Sequence, residues 1–204
     1  MLVGQETFHV HQNVLVSSSK FFQNAMKPVW RTEPLKPVDL SDVDPETFKV
    51  YSQWLYTKQM TGKLSHLSLA KSYVLGERIM DETFQRTVVL AMINRFNRAF
   101  HPGLSSIRTI YASTPPGLAA RRLMVDFCAF RSVPSSRRIK MLDANNDGEF
   151  MVDLIAALAK YRTTPTVPPP WKDESLASYF NDAEQDDNAE NRVSSNDTMT
   201  ITDQ

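Results

Sequence analysis

Apolar positions change period twice within the first fifty residues. From Glu6 to Val10 they alternate, with Phe8 and Val10 on one face, which predicts a short strand. Val14, Ser18, Phe21, Phe22 and Ala25 then recur at helical spacing. The segment Pro37 to Leu40 reads as short and extended, because proline disfavours helix in the residue before it. Asp44-Pro45-Glu46 is a helix start: a carboxylate at the N-cap, a proline at the first helical position and an acid in the first turn all suit the exposed amides there. The helix it opens runs to about Thr57 and carries Phe48, Tyr51 and Leu55 on one stripe.

Beyond a connection containing Gly62, Leu69, Tyr73 and Val74 lead a helix through Ile79. Asp81 is placed to cap another, in which Phe84, Val88, Ala91 and Met92 line one side. Between His101 and Arg162 the pattern gives two or three more helical segments, punctuated by Pro102-Gly103, Pro115-Pro116-Gly117 and Pro134. After Arg162 the run TTPTVPPP holds four prolines in eight residues, and polar, acidic, aperiodic sequence follows. That tail is expected to be disordered. Its Trp171, Leu176, Tyr179 and Phe180 are too few to bury a surface alone, although Leu176 and Phe180 are spaced for a helical turn. The expected organisation is a domain over 1–100, a helical extension over 101–164 and an acidic tail over 165–204.

At 204 residues the chain suits one compact domain with appendages. Its 23 basic and 23 acidic residues balance only in sum: from Lys172 onward nine acidic residues face two basic ones, which leaves the body seven charges positive and able to attract its own tail. The single cysteine, Cys128, excludes an internal disulfide framework and a cysteine-only zinc site. No stretch approaches the roughly 20 apolar residues that span a bilayer, and MLVGQETFHV has no secretory pattern. An intracellular address, cytoplasm or nucleus, is expected, without a membrane partner.

Several fragments of chemistry are incomplete. Asp143, Asn145, Asp147 and Gly148 match positions 1, 3, 5 and 6 of an EF-hand calcium loop, but position 12, which needs a bidentate carboxylate, is Leu154. A polar turn between two helices is the simpler reading, with a degenerate calcium loop as the alternative. Ser17-Ser18-Ser19-Lys20 fits the S-x-x-K pattern without its companion motifs, so the serines read as helix-end groups. His9 and His11 would share a strand face and could grip a metal with Cys128 or a carboxylate, yet two ligands make no site. His66 and His101 fall in loops without supporting spacing. Arg121, Arg122, Arg131, Arg137, Arg138 and Lys140 form a basic cluster with few interleaved aromatics and no nucleic-acid motif, which reads as a solvated face. There is no phosphate-binding glycine loop and no G-x-S-x-G. Catalytic residues, cofactors and metal ligands are therefore expected to be none.

Taken in order, Phe8-His9-Val10-His11, Val14-Leu15, Ser19-Lys20-Phe21-Phe22, Val38-Asp39-Leu40, Asp44-Pro45-Glu46-Thr47-Phe48 and Trp54-Leu55-Tyr56-Thr57 resemble the signature of the BTB (POZ) domain, especially its fungal branch. The similarity continues through Leu69 and from Ser72 to Asp81, covering about residues 1 to 95, and Ile107 to Asp126 resembles the helical extension of fungal members. The resemblance implies an α+β fold, a small sheet capped by a helical cluster with a C-terminal helical extension. It also implies a protein-interaction and oligomerisation module without catalytic activity, acting on an unidentified protein partner or on a second copy.

Three departures bear on what carries over. The family's first strand is represented only by Met1 to Gly4, as in an N-terminally shortened form, which leaves no segment for strand exchange and exposes a sheet edge. Gln12 stands where a basic residue often follows the signature histidine. Val50 stands where members that recruit a cullin ubiquitin-ligase scaffold carry glutamate, after Phe48-Lys49, which weakens the substrate-adaptor version of the reading. The partner-binding residues stay open at this stage.

Overall fold

The structure is a computed structural model, and its described residues are 1–27, 38–97, 102–131 and 141–161. They fall in one unit of internal contacts, Met1–Tyr161; a second unit, Arg162–Gln204, lies outside the described residues, and with it the proline run and the acidic tail.

The chain begins with a hairpin. β1 (Leu2–Val3) pairs antiparallel with β2 (Glu6–Thr7), Leu2 opposite Thr7 and Val3 opposite Glu6. Gly4 makes the turn at φ +56°, and a Cβ there would meet the Pro45 ring at 2.9 Å, so glycine serves both the backbone and the close approach of the next layer. β3 (Asp39–Leu40) lies parallel on the other side of β1, giving the order β2-β1-β3. The strand expected over Glu6 to Val10 is thus only two residues long. Beyond Thr7 the chain leaves the sheet, the Phe8 ring packs edge-on to Phe48 at 5.0 Å, and His11 becomes the N-cap of the first helix.

The helical stretch from Val14 to Ala25 is two helices, α1 (Gln12–Ser18) and α2 (Lys20–Ala25), broken at Ser19, whose backbone is extended. The Ser19 hydroxyl accepts from the Phe22 amide and donates to the Ile79 carbonyl at 2.5 Å. One buried serine therefore caps α2 and ties it to a corner sixty residues away. The stripe of apolar residues shows the helical period but not this interruption.

α3 (Pro45–Thr57) follows the predicted bounds, with the Asp44 carboxylate accepting from the Glu46 amide and from the Thr47 hydroxyl. It buries Phe48, Tyr51, Trp54 and Leu55. α4 (His66–Arg78) and α5 (Glu82–Asn97) then form a hairpin of helices. They approach closely at Gly76, where a Cβ would come within 2.8 Å of the Gln85 side chain. α4 ends on Met80 in the left-handed region at φ +52°, with the Met80 amide donating to Glu77 O and the Asp81 amide to Gly76 O, the double bond of a Schellman cap. α6 (Leu104–Ser113), α7 (Ala119–Arg131) and α8 (Ala144–Tyr161) complete the described chain.

One apolar core runs through all of this, from Val3 and Leu40 in the sheet through Phe22, Phe48, Tyr51, Trp54 and Phe84 to Ile107, Ile110, Met124, Phe150 and Leu154. The architecture is a small mixed three-stranded sheet packed on a cluster of helices, extended by further helices at the C-terminal side, the α+β class that the sequence predicts.

Asp81 sits at the centre with no exposed surface. Its carboxylate accepts from Ser18 Oγ at 2.5 Å, from Tyr51 Oη at 3.0 Å and from the Phe84 amide at 2.9 Å. It thereby caps α5 as the sequence predicts and joins α1 and α3 to the same point. Burial, and then the neighbouring Asp81 charge, push the Tyr51 phenol well above its ordinary range, so the hydroxyl stays a donor. Asp81→Ala should cost at least about 3 kcal/mol in urea unfolding, since it removes a helix cap and strands the buried Tyr51 hydroxyl and the half-buried Ser18 hydroxyl, while Tyr51→Phe costs about 1 kcal/mol. A loss in Asp81→Ala no larger than that in Tyr51→Phe would remove the three-way junction from this account.

Candidate interaction surface

The residues that suggested chemistry are engaged in building the fold. Ser17 Oγ donates to the Val14 carbonyl at 3.0 Å and Lys20 Nζ pairs with Glu82 at 3.0 Å. His11 does not share a strand face with His9: its Nδ1 lies 2.8 Å from Tyr56 Oη. His66 is the first residue of α4 rather than a loop residue, and its ring stacks on Phe96 at 5.3 Å. Cys128 is buried on α7. Among the described residues no group of three or more histidine, cysteine, aspartate or glutamate side chains is placed to hold a metal ion. His101, Arg137, Arg138 and Lys140 lie outside the described residues.

The EF-hand-like run is neither a loop nor a polar turn: α8 starts at Ala144. Asp143 caps it, its carboxylate accepting from the Asn145 amide at 3.0 Å and from the Asn146 side chain. Asp147 turns inward, its side chain 1% exposed, and is held on both oxygens by Arg108, Nε to Oδ1 and Nη2 to Oδ2 each at 2.8 Å. Leu154 is core. Continuing the helix through the segment separates the ligand positions that a calcium loop would fold around one ion, which corrects both sequence readings of this stretch.

The basic cluster is likewise not one solvated face. Arg121 is 5% exposed, at the start of α7. Its guanidinium donates to the carbonyls of Tyr111 and Thr114 and to the Thr114 hydroxyl, pairs with Glu149 at 2.5 Å, and lies 4.4 Å from the Tyr111 ring centre. The α6 C-terminus leaves carbonyls without helical partners, and a fork of N–H donors satisfies them where the helix dipole favours positive charge. Arg122 remains exposed.

Surface that no described residue covers is apolar in two places. Between the α3–α4 connection and α5, Met60, Leu64, Leu69, Leu90 and Ala91 line a groove of about 760 Å³ rimmed by Lys63 and Arg95, with Leu90 53% exposed. On α8, Val152 and Ile155 stand 67% and 63% exposed. A smaller hollow of about 370 Å³ near the hairpin includes Phe8, His9, Val10 and Gln12 in its lining. The sequence carried a signal for α8 that the motif reading hid: FMVDLIAALA is apolar around too much of its circumference for a helix with one buried stripe. Among the described residues no helix is long and apolar enough to cross a membrane.

The family model described as BTB/POZ domain matches residues 1–82, and a BTB/POZ domain is present there. That span takes in the sheet, α1 to α4, and Asp81 with its Ser18 and Tyr51 partners, but not the Phe84 amide on α5. No curated protein and no solved structure matches the chain.

Arg108 holds the Asp147 carboxyl below the ordinary carboxylate range, against the opposing effect of burial. A group whose folded pKa is depressed stabilises above its unfolded value, about 3.9 for aspartate, and that contribution disappears as pH falls through the folded value. Asp147→Asn should therefore lower Tm by roughly 2–4 °C at neutral pH, with the gap to wild type closing below about pH 4. A gap independent of pH would deny the carboxylate this role.

Proposed function

We propose that this chain is a protein-interaction and oligomerisation module of BTB/POZ type, fungal in its helical extension, with no catalytic step of its own. The module occupies residues 1–100, a helical extension 101–164 and an acidic tail 165–204. The observation that carries the reading is the BTB/POZ match over residues 1–82. It is supported by the fate of the polar residues: Ser17, Lys20, His11, Asp81, Arg121 and Asp147 each serve helix ends, ion pairs or packing rather than converging on a cleft. It is supported too by apolar side chains left on the outside, because large exposed apolar patches mark contact surfaces. The partner is a protein, not a nucleic acid or a membrane, and the setting is intracellular.

Affinity purification of the full chain after crosslinking in cells, together with light scattering of the purified protein, tests this. A reproducible stoichiometric protein partner or a mass that rises with concentration is expected. A strict monomer that enriches no protein, or one that turns over a small molecule, overturns it.

The substrate-adaptor version turns on one position. Val50 is half-buried on α3, beside Lys49, which pairs with Glu46 at 2.6 Å and Glu6 at 3.5 Å. If this helix meets a cullin scaffold, Val50→Glu should raise the affinity at least about tenfold in calorimetry, equivalent to about 1.4 kcal/mol. No gain removes the adaptor version and leaves the interaction module intact.

A further inference from the structure

α8 has two apolar faces, and the core uses one. Phe150 and Leu154 are buried, while Val152, Ile155, Ala156 and Ala159 are exposed. Those four recur at intervals of three and four residues, so they form a single stripe on the side away from the core. From Leu154 to Ala159 the helix carries no polar side chain at all. Phe130 of α7, 65% exposed, lies tilted against Tyr161 with ring centres 4.2 Å apart, on the other side of α8 from this stripe.

Resting on the interaction-module reading, we propose that this face is a self-interface: α8 of a second copy lies antiparallel against it about a two-fold axis. The charges beside the stripe select that occupant and that direction. Glu149, Asp153 and Lys160 are exposed, and at 100° per residue they fall within about 40° of one another on one flank; within its own chain Glu149 also pairs with Arg121 at 2.5 Å and Asp153 accepts from Tyr111 Oη at 2.8 Å. The flank is acidic in its N-terminal half and basic at its C-terminal end. A two-fold axis crossing the helix near Ile155 and Ala156 reverses one copy along the other, setting Lys160 of each beside Glu149 and Asp153 of the second copy. In a parallel pair the two-fold runs along the helices and puts the two charged flanks on opposite sides of the seam, where these charges meet no partner. The antiparallel pairing has the self-complementarity that an isologous interface requires, where the same patch serves both subunits. Ala156 and Ala159 let the backbones approach toward the short end of the usual 8–10 Å helix separation, with Val152 and Ile155 filling the space beside them. The charge pairs, being exposed, set register and direction, and the apolar stripe drives association.

Sedimentation equilibrium of the full chain across the micromolar range tests the interface. A concentration-dependent monomer–dimer equilibrium is expected, weakened at least about tenfold by Ile155→Lys. Both positions are exposed, so Ile155→Lys and Val152→Lys should keep wild-type circular dichroism and Tm. Lys160→Glu should weaken the homodimer and Asp153→Lys likewise, while an equimolar mixture of the two variants re-forms a dimer through restored opposite charges. A monomeric wild-type chain, a dimer indifferent to Ile155→Lys, or a mixture no tighter than its components overturns the proposal. A dimer that persists in Ile155→Lys places self-association elsewhere and leaves the interaction-module reading standing, as does a monomer that still binds a different protein. That reading falls if the monomeric chain also captures no partner.

Discussion

The Asp81 carboxylate is the point on which three helices converge, and its burial forces them to do so together. A carboxylate removed from water is costly unless donors replace the lost hydration, and here the replacements come from Ser18 on α1, Tyr51 on α3 and the first turn of α5. No single helix supplies enough of them. The same corner receives α2 through Ser19 Oγ and the Phe21 amide on Ile79 O, and through the Lys20 amide on Met80 O. Apolar packing brings these helices together without direction, and the polar corner fixes their register. The stacked and edge-on rings of Phe48, Tyr51, Trp54 and Phe84 fill the space around it.

The C-terminal helices repeat the device, once with a buried guanidinium and once with a second buried carboxylate. Arg121 closes the end of α6 from inside α7, and Arg108 of α6 holds the buried Asp147 of α8. Each pair links elements that the turns alone would leave loosely joined. The consequence for function is direct: the side chains that look most reactive in the sequence are consumed in joining helices, and what remains outside is shape and apolar area. A BTB/POZ domain is present over residues 1–82, and the helices that follow it leave apolar side chains exposed on α8.

How legible this was depended on range. The α3 start at Asp44-Pro45-Glu46, the Asp81 cap and the stripes through Phe48 to Leu55 and Phe84 to Met92 lie within a few residues of their causes, and the structure has them as predicted. The break at Ser19 was not legible, because its partner is the Ile79 carbonyl. Arg121 read as a surface charge because nothing in its own neighbourhood shows that the carbonyls of Tyr111 and Thr114 would converge on it. Asp143 to Gly148 read as half a metal loop because a ligand spacing and a capped, acidic helix start use the same residue types.

The amino-acid order by itself determined most of the helical segments, the caps at Asp44 and Asp81, the class of fold and the family likeness of the first residues, since propensity, capping and periodicity act through neighbours along the chain. Only the tertiary structure decided which polar residues are buried and paired, and which of the two apolar faces of α8 meets the core. Those outcomes depend on groups far apart in sequence arriving at one place, where the cost of desolvating a charge or a carbonyl is met by whatever donor packing has delivered.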